Sequence, residues 1–250
     1  MNVAPTSPPP MPPGEHPHPP SLPGKRETER SAWHGAAWAW LVPISLLVAF
    51  AVVTLLVWRG ATDRFDAMLL PRVQAALLPH RAWFWEAISW PGYGPQSLGV
   101  AGVFVYLAWR YRGRRGALLM LAALVSSPLG SSIKHLIARP RPTPEQAEVV
   151  GQFITSFAYP SGHVLTYTVT CGLLVLLIRD ALPAGGWERR REEMICGILA
   201  ALVLVVGPSR MALGDHWPTD VFGAYLLGGA LLTLLAPWRH ASTTLPLPRR

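Results

Sequence analysis

Three short stretches hold the residues able to bind an anion or move a phosphoryl group. The first contains Lys134 and His135, then Arg139-Pro140-Arg141-Pro142. Planar guanidinium forks match phosphate oxygens two at a time, and lysine adds a point charge. The two Arg-Pro steps force an extended exit from any preceding helix. The second stretch is Tyr159-Pro160-Ser161-Gly162-His163. Here Ser161 suits a helix N-cap, Gly162 lets an anion approach the backbone, and the free N–H groups of a helix start attract negative charge. His163 would stand beside that anion with a proton exchangeable near neutral pH. The third runs from Ser209-Arg210 to Asp215-His216-Trp217-Pro218-Thr219-Asp220. Pro218 fits a first helical turn, so His216 and Asp220, four residues apart, can meet if the helix begins early enough. A carboxylate on one imidazole nitrogen fixes the tautomer and frees the other nitrogen as nucleophile or base.

Each stretch alone has an ordinary structural explanation. Lys134 and its arginines could snorkel at a headgroup boundary, Ser161 could merely cap a helix, and Asp220 could merely complement a helix dipole. Together they supply cations, an N–H cradle and two histidines, one with a carboxylate partner. Phosphoryl transfer needs charge stabilisation, an in-line nucleophile and an acid for the leaving oxygen. No carboxylate cluster accompanies them, so the expected chemistry uses neither metal nor cofactor.

The elements that must position these residues are apolar. Of 250 residues, 14% are charged against about 25% in an average soluble domain, half are hydrophobic, and the net charge is +8. Apolar blocks of roughly bilayer length predict an all-α polytopic membrane protein with six transmembrane helices in a bundle. The expected spans are Ala37 to Trp58, Gln96 to Trp109, Gly116 to Ile137, His163 to Ile178, Met194 to Pro208 and Asp220 to Trp238. Between the first two, Asp63 to Pro91 mixes tryptophans and leucines with charges, as an interfacial segment does. Residues 1–30 form a proline-rich tail expected to be disordered, 31–240 the membrane domain, and 241–250 a cytoplasmic tail. A cleavable signal peptide fits poorly, because the basic residues follow the prolines and no small-residue cleavage site follows the first apolar block. His16 and His18 lie in the amino tail and read as solvated linker residues. Cys171 and Cys196 fall inside apolar blocks, which argues against both a disulfide framework and a cysteine metal site. With six spans, 14 of the 22 basic residues fall on the side shared by the termini. The positive-inside rule then places both termini in the cytoplasm and all three motifs on the outer face of a cytoplasmic membrane.

The ordered pattern of Lys134, six residues, Arg141-Pro142, then Pro160-Ser161-Gly162-His163, then Ser209-Arg210, five residues, His216, three residues, Asp220 resembles the tripartite signature of the type 2 phosphatidic acid phosphatase family, related to vanadium haloperoxidases. The resemblance implies that His216 attacks phosphorus to form a phosphohistidine, Asp220 orients it, and His163 protonates the departing oxygen. Lys134, Arg141, Ser161, Gly162 and Arg210 would hold the phosphate oxygens; Arg139 lies outside the pattern and receives no role. The apolar spans favour a lipid phosphatase over the family's soluble vanadate enzymes. The expected substrate is a polyprenyl diphosphate or a phosphatidic-acid-like lipid, with the bilayer as the other partner and no nucleic acid. A lipid phosphotransferase is the alternative within the family, and a non-catalytic phospholipid transporter the alternative outside it. Oligomeric state is not encoded in these motifs.

Overall fold

The computed structural model describes residues 25–77, 82–150 and 154–240, with side chains from Trp40 onward. The expected tails, with His16 and His18, fall largely outside these residues. The chain clusters into two units, residues 1–39 and 40–250, and the site lies wholly in the second.

Every regular element among the described residues is helical. In order these are α1 (Lys25–Trp58), α2 (Asp63–Leu77), α3 (Ala82–Ser89), a 3-10 turn (Trp90–Gly92), α4 (Gly94–Leu124), α5 (Ser126–Ile137), α6 (Gly162–Arg179), α7 (Gly186–Ala212), α8 (Pro218–Leu235) and a closing 3-10 turn (Ala236–Arg239). Among the described residues, five stretches are long and apolar enough to cross a bilayer: Trp40–Trp58, Gly94–Ile137, Gly162–Arg179, Gly186–Ala212 and Pro218–Arg239. Gly94–Ile137 has 44 residues; as a straight helix it would measure about 66 Å, twice a hydrocarbon core of about 30 Å. It is not straight. Arg112 and Gly113 leave helical backbone angles, Gly113 with φ of 57°, and a Cβ on Gly116 would overlap the carbonyl of Ala108. Residues eight apart on a straight helix are separated by about 12 Å, so the chain doubles back within the basic run Arg110–Arg115.

The central element is α6, which packs against α4, α5, α7 and α8. Its Val164, Leu165, Val169, Leu173, Leu174 and Leu177 are fully buried. Close approach of α8 depends on Gly228, where a Cβ would stand 2.8 Å from the Cβ of Thr168, the small-residue contact through which membrane helices pack tightly. On α1, by contrast, Trp40, Val42, Ile44, Val48 and Val52 are exposed apolar residues, as a lipid-facing helix requires.

Neither α2 nor α3 is long enough to cross. Along α2, Asp66, Leu70 and Gln74 are buried at a spacing of four while Phe65 and Met68 are exposed, so one face is seated on the protein. Helix α7 starts at Gly186, ahead of the span expected from Met194, because hydropathy registers only its apolar part and not the charged first turns Glu188–Glu193. Pro208 in α7 lacks the N–H that would bond the carbonyl of Leu204. Tyr225 of α8 patches this turn: its hydroxyl donates to the carbonyl of Val203 at 2.7 Å, stands 3.4 Å from the freed carbonyl of Leu204, and accepts from Gly207 N at 3.2 Å. That repair keeps the last turns of α7, which carry Ser209 and Arg210, in place.

Candidate active site

The three motifs converge at one end of the bundle, where α5 and α7 finish and α6 and α8 start. Their meeting point is His216, in the short loop between α7 and α8. Pro218 begins α8, so Asp220 stands at its third position and its Oδ2 accepts from Trp217 N at 2.9 Å. The same oxygen faces His216 Nδ1 at 3.4 Å. Nδ1 is thereby assigned the proton, and Nε2 carries the lone pair. Burial, together with the charges of Arg141, Lys134 and Arg210, holds the His216 imidazole well below its ordinary range. The ring is therefore neutral, the form in which Nε2 is nucleophilic.

The cations arrive from three elements. Helix α5 ends when Ala138 turns left-handed (φ 50°), its N–H still bonded to the carbonyl of Lys134 at 2.8 Å. The following prolines keep the chain extended, and Arg141 reaches His216 Nε2 through Nη1 at 3.3 Å. Its remaining donors hold the carbonyls of Asp215, Ser156 and Phe157. Lys134 donates to the carbonyls of Phe157 at 2.7 Å and Ala158 at 3.1 Å. Arg210 is fully buried, paired with Asp215 and donating to Tyr93 Oη at 2.7 Å. Burial pushes the Asp215 carboxyl up, against the opposing pull of Arg210 and Arg141.

Ser161 is the N-cap of α6 by backbone geometry, but the expected side-chain cap is not made; the buried hydroxyl has no protein partner. Its N–H bonds the carbonyl of Asp220 at 3.1 Å, tying the second motif to the third. The first N–H groups of α6 lack intrahelical acceptors, as at any helix start. An unpartnered hydroxyl beside free N–H groups and three cations is what a phosphate would satisfy. His163, one residue inside α6, is pinned by the carbonyl of Ser89 at 3.2 Å from Nε2 and by the edge of Tyr93, ring centroids 4.9 Å apart.

Lys134, Arg141, Gly162, His163, Arg210 and His216 all line one cleft of about 830 Å³. Further in, its walls are apolar: Val100, Val103 and Phe104 of α4, Leu124, and Leu199 and Leu202 of α7. From Arg210 to Leu199 is eleven residues, about 16 Å of helix, so the charged end continues into a trench of lipid-like character. Among the described residues, no three His, Cys, Asp or Glu side chains are grouped so as to hold a metal ion.

The family model for the PAP2 superfamily matches residues 99–244, a segment that contains every motif residue above. The chain belongs to the PAP2 superfamily. It is 28% identical over 201 residues to phosphatidylglycerophosphatase B of Bacillus subtilis, covering 77% of this chain and 92% of that protein. Undecaprenyl-diphosphatase of Sulfolobus acidocaldarius is 29% identical over 138 residues, 54% of this chain and 61% of that one. Phosphatidylglycerophosphatase B of Escherichia coli is 34% identical over 109 residues, 44% and 39% of the two chains. In fold the protein is similar to a crystal structure of a transmembrane PAP2-type phosphatidylglycerolphosphate phosphatase from Bacillus subtilis, with a TM-score of 0.66, 24% identity, and coverage of 78% of this chain and 94% of that one.

Around this PAP2 motif set stand residues that motif spacing did not single out. Ser89 and Tyr93, on α3 and the loop after it, hold His163 and Arg210. Asp66 of α2 and Thr219 of α8 join Arg139 behind Asp220. Their only sequence signal was charge in a segment otherwise suited to an interface, as with Asp66, and partners lie up to 153 positions away.

Proposed function

We propose that this PAP2 protein is an integral membrane lipid phosphatase that cleaves a lipid phosphate or diphosphate through a phosphohistidine on His216. The observation that carries the proposal is the His216 ring, backed by Asp220 on Nδ1 and facing a cleft that is cationic at Nε2 and apolar beyond. With the phosphate held by Lys134, Arg141, Arg210, the Ser161 hydroxyl and the α6 N–H groups, Nε2 attacks phosphorus in line. The P–N bond forms as the P–O bond to the lipid breaks, and His163 gives its proton to the departing oxygen. Water then attacks phosphorus and loses a proton to His163; the P–N bond breaks and phosphate is released.

The apolar trench supports a substrate whose chain stays in lipid. The relatives named phosphatidylglycerophosphatase B and undecaprenyl-diphosphatase support phosphatidylglycerophosphate and undecaprenyl diphosphate as the two substrates to test first. The doubling back at Arg112–Gly113 supports six crossings, and the arginine-rich loops support cytoplasmic termini with the site on the opposite face. Purified protein assayed for phosphate release on a panel of lipid phosphates and diphosphates, with and without candidate acceptor alcohols, tests the proposal. Release of free phosphate as the sole phosphorus product is expected. Phosphorylated acceptor would make the protein a transferase, and no turnover of any lipid would leave a phospholipid carrier.

A further inference from the structure

The two arginines of the Arg-Pro-Arg-Pro segment serve opposite sides of the same His–Asp pair. Arg141 lies on the cleft wall against His216 Nε2, whereas Arg139 does not line the cleft and is buried behind Asp220. Its Nη1 donates to Asp220 Oδ1 at 2.7 Å and to Thr219 Oγ1 at 2.8 Å. Its Nη2 donates to Asp66 Oδ2 at 2.6 Å, Thr62 Oγ1 at 3.2 Å and Asp63 Oδ1 at 3.3 Å. The guanidinium also stands 5.7 Å from the Trp217 ring centroid. Asp66 completes the lock from α2: Oδ1 accepts from Thr219 N at 3.0 Å and Oδ2 from Thr219 Oγ1 at 2.6 Å. The interfacial helix thus caps the first turn of α8, the turn that carries Asp220.

We infer that Arg139 and Asp66 are a positioning pair that fixes Asp220, and through it His216, for attack on phosphorus. The inference rests on the phosphatase proposed above. Arg139 occupies Oδ1, so Asp220 can offer only Oδ2 to Trp217 N and His216 Nδ1, which sets the imidazole's orientation. Charge reinforces geometry. Asp66 and Asp220 are fully buried carboxylates sharing one buried guanidinium. The cluster carries a surplus negative charge beside a ring that becomes cationic when Nε2 bonds phosphorus. Asp63, mostly exposed, is a third acid on the same guanidinium, so removing Asp66 would reduce that surplus, whereas removing Arg139 would set two buried carboxylates against each other. Lysine is a poor replacement, being a point charge that cannot bridge both acids with a planar fork.

The test uses the full-length protein in detergent and compares wild type with Arg139→Met, Arg139→Lys and Asp66→Asn. For each, kcat and KM are measured on whichever lipid phosphate the wild type turns over, and inorganic phosphate binding is measured by calorimetry for affinity and sites per chain. Misplacement of a reacting group by about 1 Å costs on the order of 100-fold. Arg139→Met is therefore expected to lose about 100-fold in kcat and Arg139→Lys about 10-fold, with KM, phosphate affinity and phosphate stoichiometry within about threefold of wild type. Asp66→Asn should behave like a weaker Arg139→Met and supplies the test if that variant does not fold. A rise in KM and loss of phosphate affinity at unchanged kcat would make Arg139 a phosphate ligand and overturn the inference. So would a fall in phosphate stoichiometry in step with kcat, which marks a purely structural role. If the wild type releases no phosphate from any lipid, the phosphatase proposal itself fails; if the wild type turns over and all three variants keep full kcat, only the positioning pair fails.

Discussion

Replacing Gly92 with alanine should disable proton transfer to the leaving group while leaving the nucleophile intact. Gly92 closes the 3-10 turn after α3, and a Cβ there would stand 2.7 Å from His163 Nε2, closer still to Cδ2. Its φ lies outside the left-handed region, so the backbone accepts alanine and only the imidazole opposes it. Restoring ordinary contact at 3.4 Å requires the ring's Cδ2, at 2.3 Å, to retreat by about 1.1 Å. It cannot retreat freely, because the Ser89 carbonyl and the Tyr93 edge hold it. Positioned acids contribute about 100- to 10,000-fold, and displacement of about 1 Å costs about 100-fold. The assay compares kcat on a lipid phosphate, whose alkoxide needs a proton, with kcat on an aryl phosphate that leaves as a stabilised phenolate. About 100-fold loss on the lipid and less than about fivefold on the aryl ester is expected. Equal loss on both, or no loss on either, would refute the assignment of His163 as the acid.

His216→Ala should abolish turnover, below about one part in 10,000 of wild type, while an unchanged melting temperature shows that the fold persists; residual turnover above that level would remove the nucleophile assignment. The attacking form of His216 is neutral; burial together with Arg141, Lys134 and Arg210 disfavours its charged form, with the Asp220 carboxylate at Nδ1. His216 should therefore stay in its attacking form, and set no acid limb of its own, as pH falls through the ordinary imidazole range near 6.5. In a pH profile of kcat/KM on one substrate, Arg141→Met should move the acid limb upward, since it removes a cation from Nε2. Chelator should leave the rate unchanged, and loss of activity restored by magnesium would contradict metal-independent chemistry.

The helices and the motifs were legible because both are local. Hydropathy finds a span from consecutive residues, and Pro218 with Asp220 two residues on announces a helix start that carries its own carboxylate. Arg112–Gly113 was readable as a break because basic residues and a glycine interrupt an apolar run. The support behind the site was not local. Asp66 reads as one charge in an amphipathic segment until α2 folds against α8, and Arg139, outside the signature that picks out Arg141, has no readable role until it is seen facing the interior behind Asp220. Ser161 shows the converse: its sequence context promises a capping hydroxyl, and the fold withholds that bond.

The route phosphorus takes from lipid to water decides whether a phosphohistidine forms. A lipid thiophosphate monoester made chiral with oxygen isotopes, hydrolysed in isotopically labelled water, reports whether one displacement or two occurred. Two in-line displacements, first by His216 Nε2 and then by water, predict retention of configuration in the released thiophosphate. Inversion would mean that water attacks the lipid phosphate directly and that His216 is never phosphorylated.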